Sequence, residues 1–388
     1  MNMKSVYCFV LGLSFLIVSC TEPTQENASK EQGIAFESIQ KFSQYDSLVI
    51  DKAERLRFVG QMAEDLVFQT DLGDFVITSP KGELIRELTL TGEVMDRVGK
   101  SVYQSAIHQD KLVILSSRGI SFYSSEGELL HRIHQKFPFK SARKTLYVDI
   151  INKDSIFIMD PQKPFFDFTA NNPGDPSSLE KYYRSYHAGM IYRTSQPSLD
   201  SSELVMNFPL ESIFAEYQYH YPDYGSFYMY DPNTSILYFM HSPDLMLHSL
   251  NIQNETATSI KLELPDFNIE FKTNLSEGMP GGQVLQKARI LNASITALTS
   301  KDDKIYVQYR LGLPEQSLFE TKAERVNRRE YRLAVFNKEN RTSKVYKLPN
   351  SFETFQGVDH QGRLLFKSKM EHPDSEVFYV VDSDKLSE

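Results

Sequence analysis

Apolar residues occur along most of the chain in short runs, and turn residues separate one run from the next. The runs are rich in β-branched and aromatic residues, which favour strands. Helical periodicity over twelve or more residues is scarce. Representative runs lie at 66–68, 75–78, 112–115, 120–123, 156–159, 227–230, 236–239, 304–307, 333–336, 364–366 and 377–381. The pattern predicts an all-β fold.

Two segments have helical character, at 177–186 and 315–329. The second is charged almost all round, which indicates a solvated helix or a loop. Residues 160–224 and 266–291 depart from the strand pattern and are predicted to be long insertions between strands.

A strand–turn–strand unit repeats along the chain. The segment FVITSPKGELI at 75–85 matches ISFYSSEGELL at 120–130, with Gly82 and Gly127 in equivalent places. A second pair, LNIQNET at 250–256 and FNKENRT at 336–342, is similar in the same way. A unit that recurs about every 40–50 residues is typical of a β-propeller built from four-stranded blades. The alternative is a β-sandwich or two-domain all-β chain with similar hairpins.

The repeat length sets the expected number of blades. With the long insertions allowed for, residues 33–388 have room for six blades, and seven is the alternative. We expect six. Strand-like segments at 35–37 and 48–50 are positioned to complete the blade that ends at 377–381. Such closure would remove a free sheet edge.

The N-terminus resembles an export signal. Lys4 precedes an apolar stretch at 6–18, which is too short for a membrane-spanning helix. The stretch ends LIVSC at 16–20, which resembles the bacterial lipobox. The resemblance implies cleavage before Cys20, a diacylglycerol on its sulfur and commonly a third acyl group on the new amino terminus, palmitate being one such acyl group. An ordinary secretory signal with a chance cysteine is the alternative.

The predicted signal determines how the rest of the chain is divided into segments. Residues 1–19 would be the signal peptide, and the polar segment 20–32 would be a flexible tether that cannot bury enough apolar surface to fold. Residues 33–388 would form a single propeller domain. The predicted location is the cell envelope, with the domain lipid-anchored and facing either the periplasm or the cell surface.

Charge and cysteine content exclude several classes of protein. The chain has 42 Lys and Arg against 51 Asp and Glu, a net charge of −9, so a general nucleic-acid binder is excluded. Of the two cysteines, Cys8 lies in the signal peptide and Cys20 at the lipid site, which leaves no disulfide framework. We find no catalytic motif, no metal-ligand spacing and no cofactor fingerprint.

Aromatic residues are dense between 182 and 230. We select as candidate ligand-binding residues Tyr186, His187, Arg193, Tyr217, Tyr219, His220 and Tyr221. Tyrosine offers a stacking face and a hydroxyl, which suits glycan or peptide recognition. The alternative is that these side chains fill the core between blades.

The lipobox, the tether and the SxxGEL turns of an irregular propeller together resemble envelope lipoproteins of Bacteroidota. The chain is similar to the domain-of-unknown-function 4221 family, within the TolB-like group of six-bladed propellers. The resemblance implies the fold and the location, and it brings no catalytic residues. The triplets at 46–48 and 154–156 also resemble an O-glycosylation motif at Ser47 and Ser155, although a turn Asp before a strand explains both equally well.

Two functions compete. The favoured hypothesis is a non-catalytic binding or scaffolding module, held at the membrane by its N-terminal lipid, for a glycan, peptide or protein of the envelope. The alternative is a hydrolase or lyase acting on sugars or lactones. It depends on analogy with other propellers.

Overall fold

The computed structural model describes residues 36–386, apart from residues 43, 100–101, 135–146, 153–154, 160–189, 194–202, 205–218, 221–224, 232, 243, 252, 255, 275–281 and 371. The chain divides into residues 1–32 and residues 33–388. The predicted signal peptide, Cys20 and the tether therefore lie outside the described residues, as does the helix expected at 177–186.

Strands dominate the described residues. In chain order they are β1 (Phe36–Lys41), β2 (Asp46–Ile50), β3 (Leu56–Met62), β4 (Asp65–Thr70), β5 (Phe75–Thr78), β6 (Leu84–Leu88), β7 (Val102–His108), β8 (Lys111–Ser116), β9 (Gly119–Tyr123), β10 (Leu129–Ile133), β11 (Tyr147–Asn152), β12 (Ser155–Met159), β13 (Met190–Arg193), β14 (Glu203–Leu204), β15 (Tyr219–His220), β16 (Gly225–Asp231), β17 (Ile236–Ser242), β18 (Met246–Asn251), β19 (Ala257–Lys261), β20 (Thr273–Asn274), β21 (Ser294–Lys301), β22 (Lys304–Arg310), β23 (Tyr331–Asn337), β24 (Ser343–Lys347), β25 (Phe352–Val358), β26 (Arg363–Ser368) and β27 (Glu376–Asp382).

The strands form antiparallel sheets of a β-propeller. Four-stranded sheets are built from β3–β6, β7–β10, β11–β14, β16–β19, and β25–β27 with β2. Strands β21–β24 form a further sheet, to which β1 adds in parallel beside β24. The predicted four-stranded blades are confirmed. The predicted number of four-stranded blades, six with seven as the alternative, is corrected to five, because the further sheet of the ring has five strands, with β1 covering the free edge of β24.

The sheets follow one another around a centre. The first strands of neighbouring sheets contact each other in the cyclic order β3, β7, β11, β16, β21, β25 and back to β3. The ring closes through β2, which pairs with β27 as predicted for residues 48–50. The segment near residue 36 was expected at the same edge and instead pairs with β24.

The sequence repeats correspond to the hairpins between third and fourth strands. Ser79 Oγ accepts hydrogen bonds from the backbone N–H of Lys81 and Glu83, and Ser124 Oγ accepts the equivalent pair in the second sheet. Gly82 and Gly127 have φ of +90° and +83°, a conformation that glycine adopts without strain.

The second repeat uses asparagine instead of serine. Asn251 Oδ1 accepts from the backbone N–H of Gln253 and Asn254, and Asn337 Oδ1 accepts from the N–H of Glu339 and Asn340. Local side-chain hydrogen bonds therefore fix these turns.

Apolar side chains pack between neighbouring sheets. Ile50, Phe68 and Phe378 belong to the core between the last sheet and the first, and all three are fully buried. Phe75 and Ile114 belong to the core between the first two sheets. Among the residues whose burial is described, apolar surface buried between neighbouring sheets stabilises the ring.

Side-chain amides add hydrogen bonds between neighbouring sheets near the centre of the ring. Gln308, fully buried on β22, donates to Glu353 O at 2.6 Å and accepts from Phe355 N–H at 2.9 Å, both on β25. Gln356 on β25 accepts from Phe58 N–H on β3 at 3.3 Å. These hydrogen bonds connect the fifth, last and first sheets of the ring.

Two α-helices lie outside the sheets, α1 (Gly282–Leu291) and α2 (Lys322–Arg328), with 3-10 helices at Glu315–Phe319 and Ser383–Leu386. Helix α2 buries none of its residues, which confirms a solvated helix over 322–328 of the segment predicted at 315–329, whereas the 3-10 helix before it buries Ser317. The insertion predicted at 266–291 is confirmed as a connection between β19 and β21 that contains β20 and α1.

Candidate functional site

The two ends of the propeller carry different connections. In an antiparallel meander, the turns after first and third strands emerge at one end, and the connections after second and fourth strands emerge at the other. We call these ends the hairpin face and the loop face. Contacts between neighbouring sheets align them: Ala63 N–H donates to Asp110 Oδ1 at the hairpin face, and Lys367 Nζ donates to Leu56 O at the loop face.

All the long connections leave and return at the loop face. They are residues 89–101, 134–146, 160–189, 205–224, 262–293 and 311–330. On the hairpin face the longest connection is residues 194–202. Binding and catalytic residues concentrate on loops that a rigid scaffold positions, so the loop face is the candidate functional surface.

Exposed apolar side chains also concentrate on the loop face. Among the described residues, the five most exposed large hydrophobic side chains are 59–91% accessible, and all lie in connections of this face: Leu72, Val94, Met95, Phe319 and Met370. The other exposed ones lie on or beside outer strands. Water-exposed apolar side chains gathered on one surface are typical of an interaction site.

Part of the loop face is rigidly built. The side-chain amide of Asn292 donates to Phe271 O at 2.7 Å and accepts from Phe271 N–H at 2.8 Å. Arg310 and Arg329 both donate to Arg289 O in the last turn of α1, where cations complement the helix dipole. A capping box between Thr321 and Glu324 begins α2. The surface is therefore supported by local hydrogen bonds.

Arg57 lies where the loop face meets the central channel. It is the second residue of β3 and is exposed, although it lies between the first strands of two sheets. Its guanidinium donates to Gln69 Oε1, to Ser105 Oγ at 3.1 Å and to Gln104 Oε1 at 3.4 Å. Burial by these surroundings lowers the pKa of Arg57.

A second cation lies at the loop-face end of the last sheet. Lys369 Nζ donates to Arg329 O at 2.7 Å and is 5.0 Å from the centre of the Tyr331 ring. Burial lowers the pKa of Lys369, while the nearby carboxylates of Glu353 and Glu330 raise it. Burial also raises the pKa of Tyr331.

A polar cavity of about 510 Å³ opens on the hairpin face, lined by residues that include Tyr45, Asp46, Arg363 and Lys385. The charge of Arg363 is already neutralised there, because its Nε donates to Asp359 Oδ2 at 2.6 Å. We therefore rank this cavity below the loop face.

The structure places three of the predicted ligand-binding residues. Tyr219 and His220 form β15, which pairs with β20 and so joins two long connections of the loop face. Arg193 ends β13, opposite Ser155, at the hairpin-face end of its sheet. The structure therefore does not bring Arg193 together with Tyr219 and His220. The remaining candidates, Tyr186, His187, Tyr217 and Tyr221, lie outside the described residues. Asp154, the first residue of the second O-glycosylation triplet, also lies outside them.

Nearby aromatic residues and two histidines belong to the core. Tyr228 and Tyr230 are buried, as the alternative of a core between blades expects. His241 and His248, which the sequence did not single out, are fully buried in the same sheet, with ring centres 6.1 Å apart. Burial lowers the pKa of His248 to about 3 and that of His241 well below its usual value. Both are therefore neutral at physiological pH.

Comparison with known proteins supports the fold. No protein-family model and no curated protein matches the sequence. The chain is similar to a crystal structure of a DUF4221 family member from Bacteroides vulgatus, with 13% identity, a TM-score of 0.60, and coverage of 91% of this chain and 99% of that one. The resemblance predicted from the sequence is thus confirmed at the level of fold.

Two further structures are more distant. The extracellular domain of the putative one component system BT4673 from B. thetaiotaomicron has 9% identity and a TM-score of 0.41 over 90% of this chain and 43% of that one. A luciferin-regenerating enzyme has 10% identity and a TM-score of 0.40 over 87% and 95%. Within the described part of the chain, no helix has the length and apolar character that a membrane crossing needs.

Proposed function

We propose that this chain is an envelope lipoprotein whose β-propeller binds a protein or peptide partner through its loop face. The observation that carries the binding role is the concentration of exposed apolar side chains on that face, headed by Met95 and Phe319, each 91% accessible. A glycan surface would use stacking aromatics and hydrogen-bonding groups, whereas Leu, Val and Met side chains suit an apolar partner. The described residues give no observation that favours the hydrolase alternative.

Binding is tested by pairs of variants matched in chemistry. Met95→Ser with Phe319→Ser removes two apolar contacts from the loop face, and Ile85→Ser with Leu130→Ser removes two exposed apolar side chains from outer strands. We expect the first pair to reduce retention of a partner from detergent-solubilised envelope at least tenfold, because central apolar contacts dominate interface energies. The second pair should retain the partner.

All four substitutions are at exposed positions, so both proteins should unfold at the wild-type temperature. Equal retention by both variant pairs would show that the loop face is not the binding surface.

The anchor is a separate part of the proposal, and it is supported by the LIVSC pattern at 16–20. Replacing Cys20 by serine removes the acylated sulfur, so the chain should shift from the membrane pellet to the soluble fraction. A single acyl chain binds membranes weakly, and stable anchoring needs more than one. A wild-type protein whose N-terminal peptide carries no lipid by mass spectrometry would overturn this part.

A further inference from the structure

Arg57 carries a positive charge that the described protein does not neutralise. Every described partner of its guanidinium is a neutral oxygen, from Gln69, Gln104 or Ser105. The cation that precedes it in the connection 51–55 is paired, because Lys52 lies 2.9 Å from Glu87. A guanidinium that meets only neutral acceptors keeps its full charge for an anion from outside the protein.

The surroundings of Arg57 fix the direction of the guanidinium. Gln69 and Ser105 are both buried, and Ser105 Oγ donates to Gln69 Oε1 at 3.0 Å. The amide and the hydroxyl therefore form a preset pair of acceptors on the protein side. A guanidinium has five N–H donors, and those that the protein does not use remain available to a ligand, because the side chain is exposed.

The position connects this group to the loop face. Arg57 is the second residue of β3, which follows the short connection 51–55, and it therefore lies at the loop-face end of that strand. Exposed Leu72 belongs to the connection 71–74 that follows Gln69 and Thr70, on the adjacent strand of the same sheet. A ligand that covers the apolar side chains of this face can therefore place a charged group at the channel mouth.

We infer that Arg57 binds a carboxylate of the ligand at the mouth of the central channel, with Gln69, Gln104 and Ser105 orienting its guanidinium. The planar fork of N–H donors matches two carboxylate oxygens, which a lysine ammonium does not reproduce. The inference rests on the proposed function in that the carboxylate belongs to a protein or peptide, either as a C-terminus or as an acidic side chain.

The test uses small carboxylates and the purified full-length protein. The probes are N-acetylglycine for a C-terminal carboxylate and N-acetylaspartate amide for a side-chain carboxylate, with N-acetylglycinamide as the neutral control and sodium sulfate as the other oxyanion, all at constant ionic strength. Binding to the folded state alone raises the unfolding temperature in a saturable way. We expect one of the two carboxylates to do so, and its identity distinguishes the two sources.

Variants assign the effect to Arg57. We expect Arg57→Gln and Arg57→Lys to weaken the carboxylate effect at least tenfold, whereas Arg86→Gln, an exposed arginine on β6 of the same sheet, should leave it unchanged. Without ligand, Arg57→Gln should unfold near the wild-type temperature, because one exposed polar side chain replaces another. A merely structural arginine would lower that temperature.

Four results would overturn the inference: no effect of either carboxylate, an equal carboxylate effect in Arg57→Gln, an equal effect of the neutral amide, or an equal effect of sulfate. These titrations are independent of the retention assay with the Met95 and Phe319 variants. If the Met95 and Phe319 variants lose the partner but no carboxylate raises the unfolding temperature, the role of Arg57 is wrong and the proposed function stands. If a carboxylate acts through Arg57 but those variants retain the partner, the binding role of the loop face is wrong and the carboxylate site stands.

Discussion

Replacing Ile50 by alanine should lower the free energy of unfolding by about 3 kcal/mol, the usual cost of truncating a buried isoleucine. Ile50 is fully buried and packs with Phe68 of the first sheet and Phe378 of the last. It lies on β2, the N-terminal strand that completes the sheet formed by the C-terminal strands. The substitution therefore acts on the closure of the ring.

The neighbouring residue provides the control. Val49 lies on the same strand with its side chain on the opposite side, and it is 50% exposed. Val49→Ala should cost about 0.5 kcal/mol or less, since little apolar surface is lost. Equilibrium unfolding in urea measures both values. Similar small losses for the two variants would show that β2 is not packed into the core as described.

The second large effect is expected at Gly82. A Cβ atom there would lie 2.5 Å from Val49 O and 3.0 Å from Leu48 Cδ1, so the hairpin would have to move away from the closing strand. The φ of +90° is itself strained for alanine, at about 1–3 kcal/mol. Gly82→Ala should therefore destabilise the protein by roughly 3–5 kcal/mol once the backbone contact is added.

Gly127 separates the two contributions, because it occupies the equivalent turn of the second sheet with nearly the same φ. Its added Cβ would meet Leu88 Cδ2 at 2.9 Å, and the end of a leucine side chain can shift where a strand carbonyl cannot. Gly127→Ala should cost about 1–2 kcal/mol. Thermal unfolding of both variants measures the difference. If both variants lose the same stability, the contact between the added Cβ at residue 82 and β2 contributes nothing to the destabilisation.

The features predicted correctly from the sequence are those that local chemistry determines. The turns at Ser79, Ser124, Asn251 and Asn337 depend on hydrogen bonds within a few residues, so the repeats reveal them. The pairing of β2 with β27 followed from the need to cover an edge. The parallel addition of β1 to β24 could not be predicted, because β21–β24 already form a complete four-stranded blade and nothing in the repeat calls for a fifth strand there.

The site was less predictable than the fold. Arg57 stands between buried Leu56 and Phe58, a pattern that any half-buried strand shows. Its importance comes from Ser105 and Gln104, which belong to the next sheet. The loop face also depends on the order of strands within every sheet, including the two-residue strand β14, which no periodicity indicates. The aromatic cluster was visible in the sequence, and it led to residues on both faces.

A crosslinking map in the living cell tests the binding face most directly. A photoreactive benzoylphenylalanine is placed at Met95 or Phe319 on the loop face, and at Gln253 or Glu339 in turns of the hairpin face, all exposed positions. We predict an adduct of one and the same partner from Met95 and Phe319, and none from Gln253 or Glu339. Adducts from the hairpin positions with none from the loop face would contradict the account.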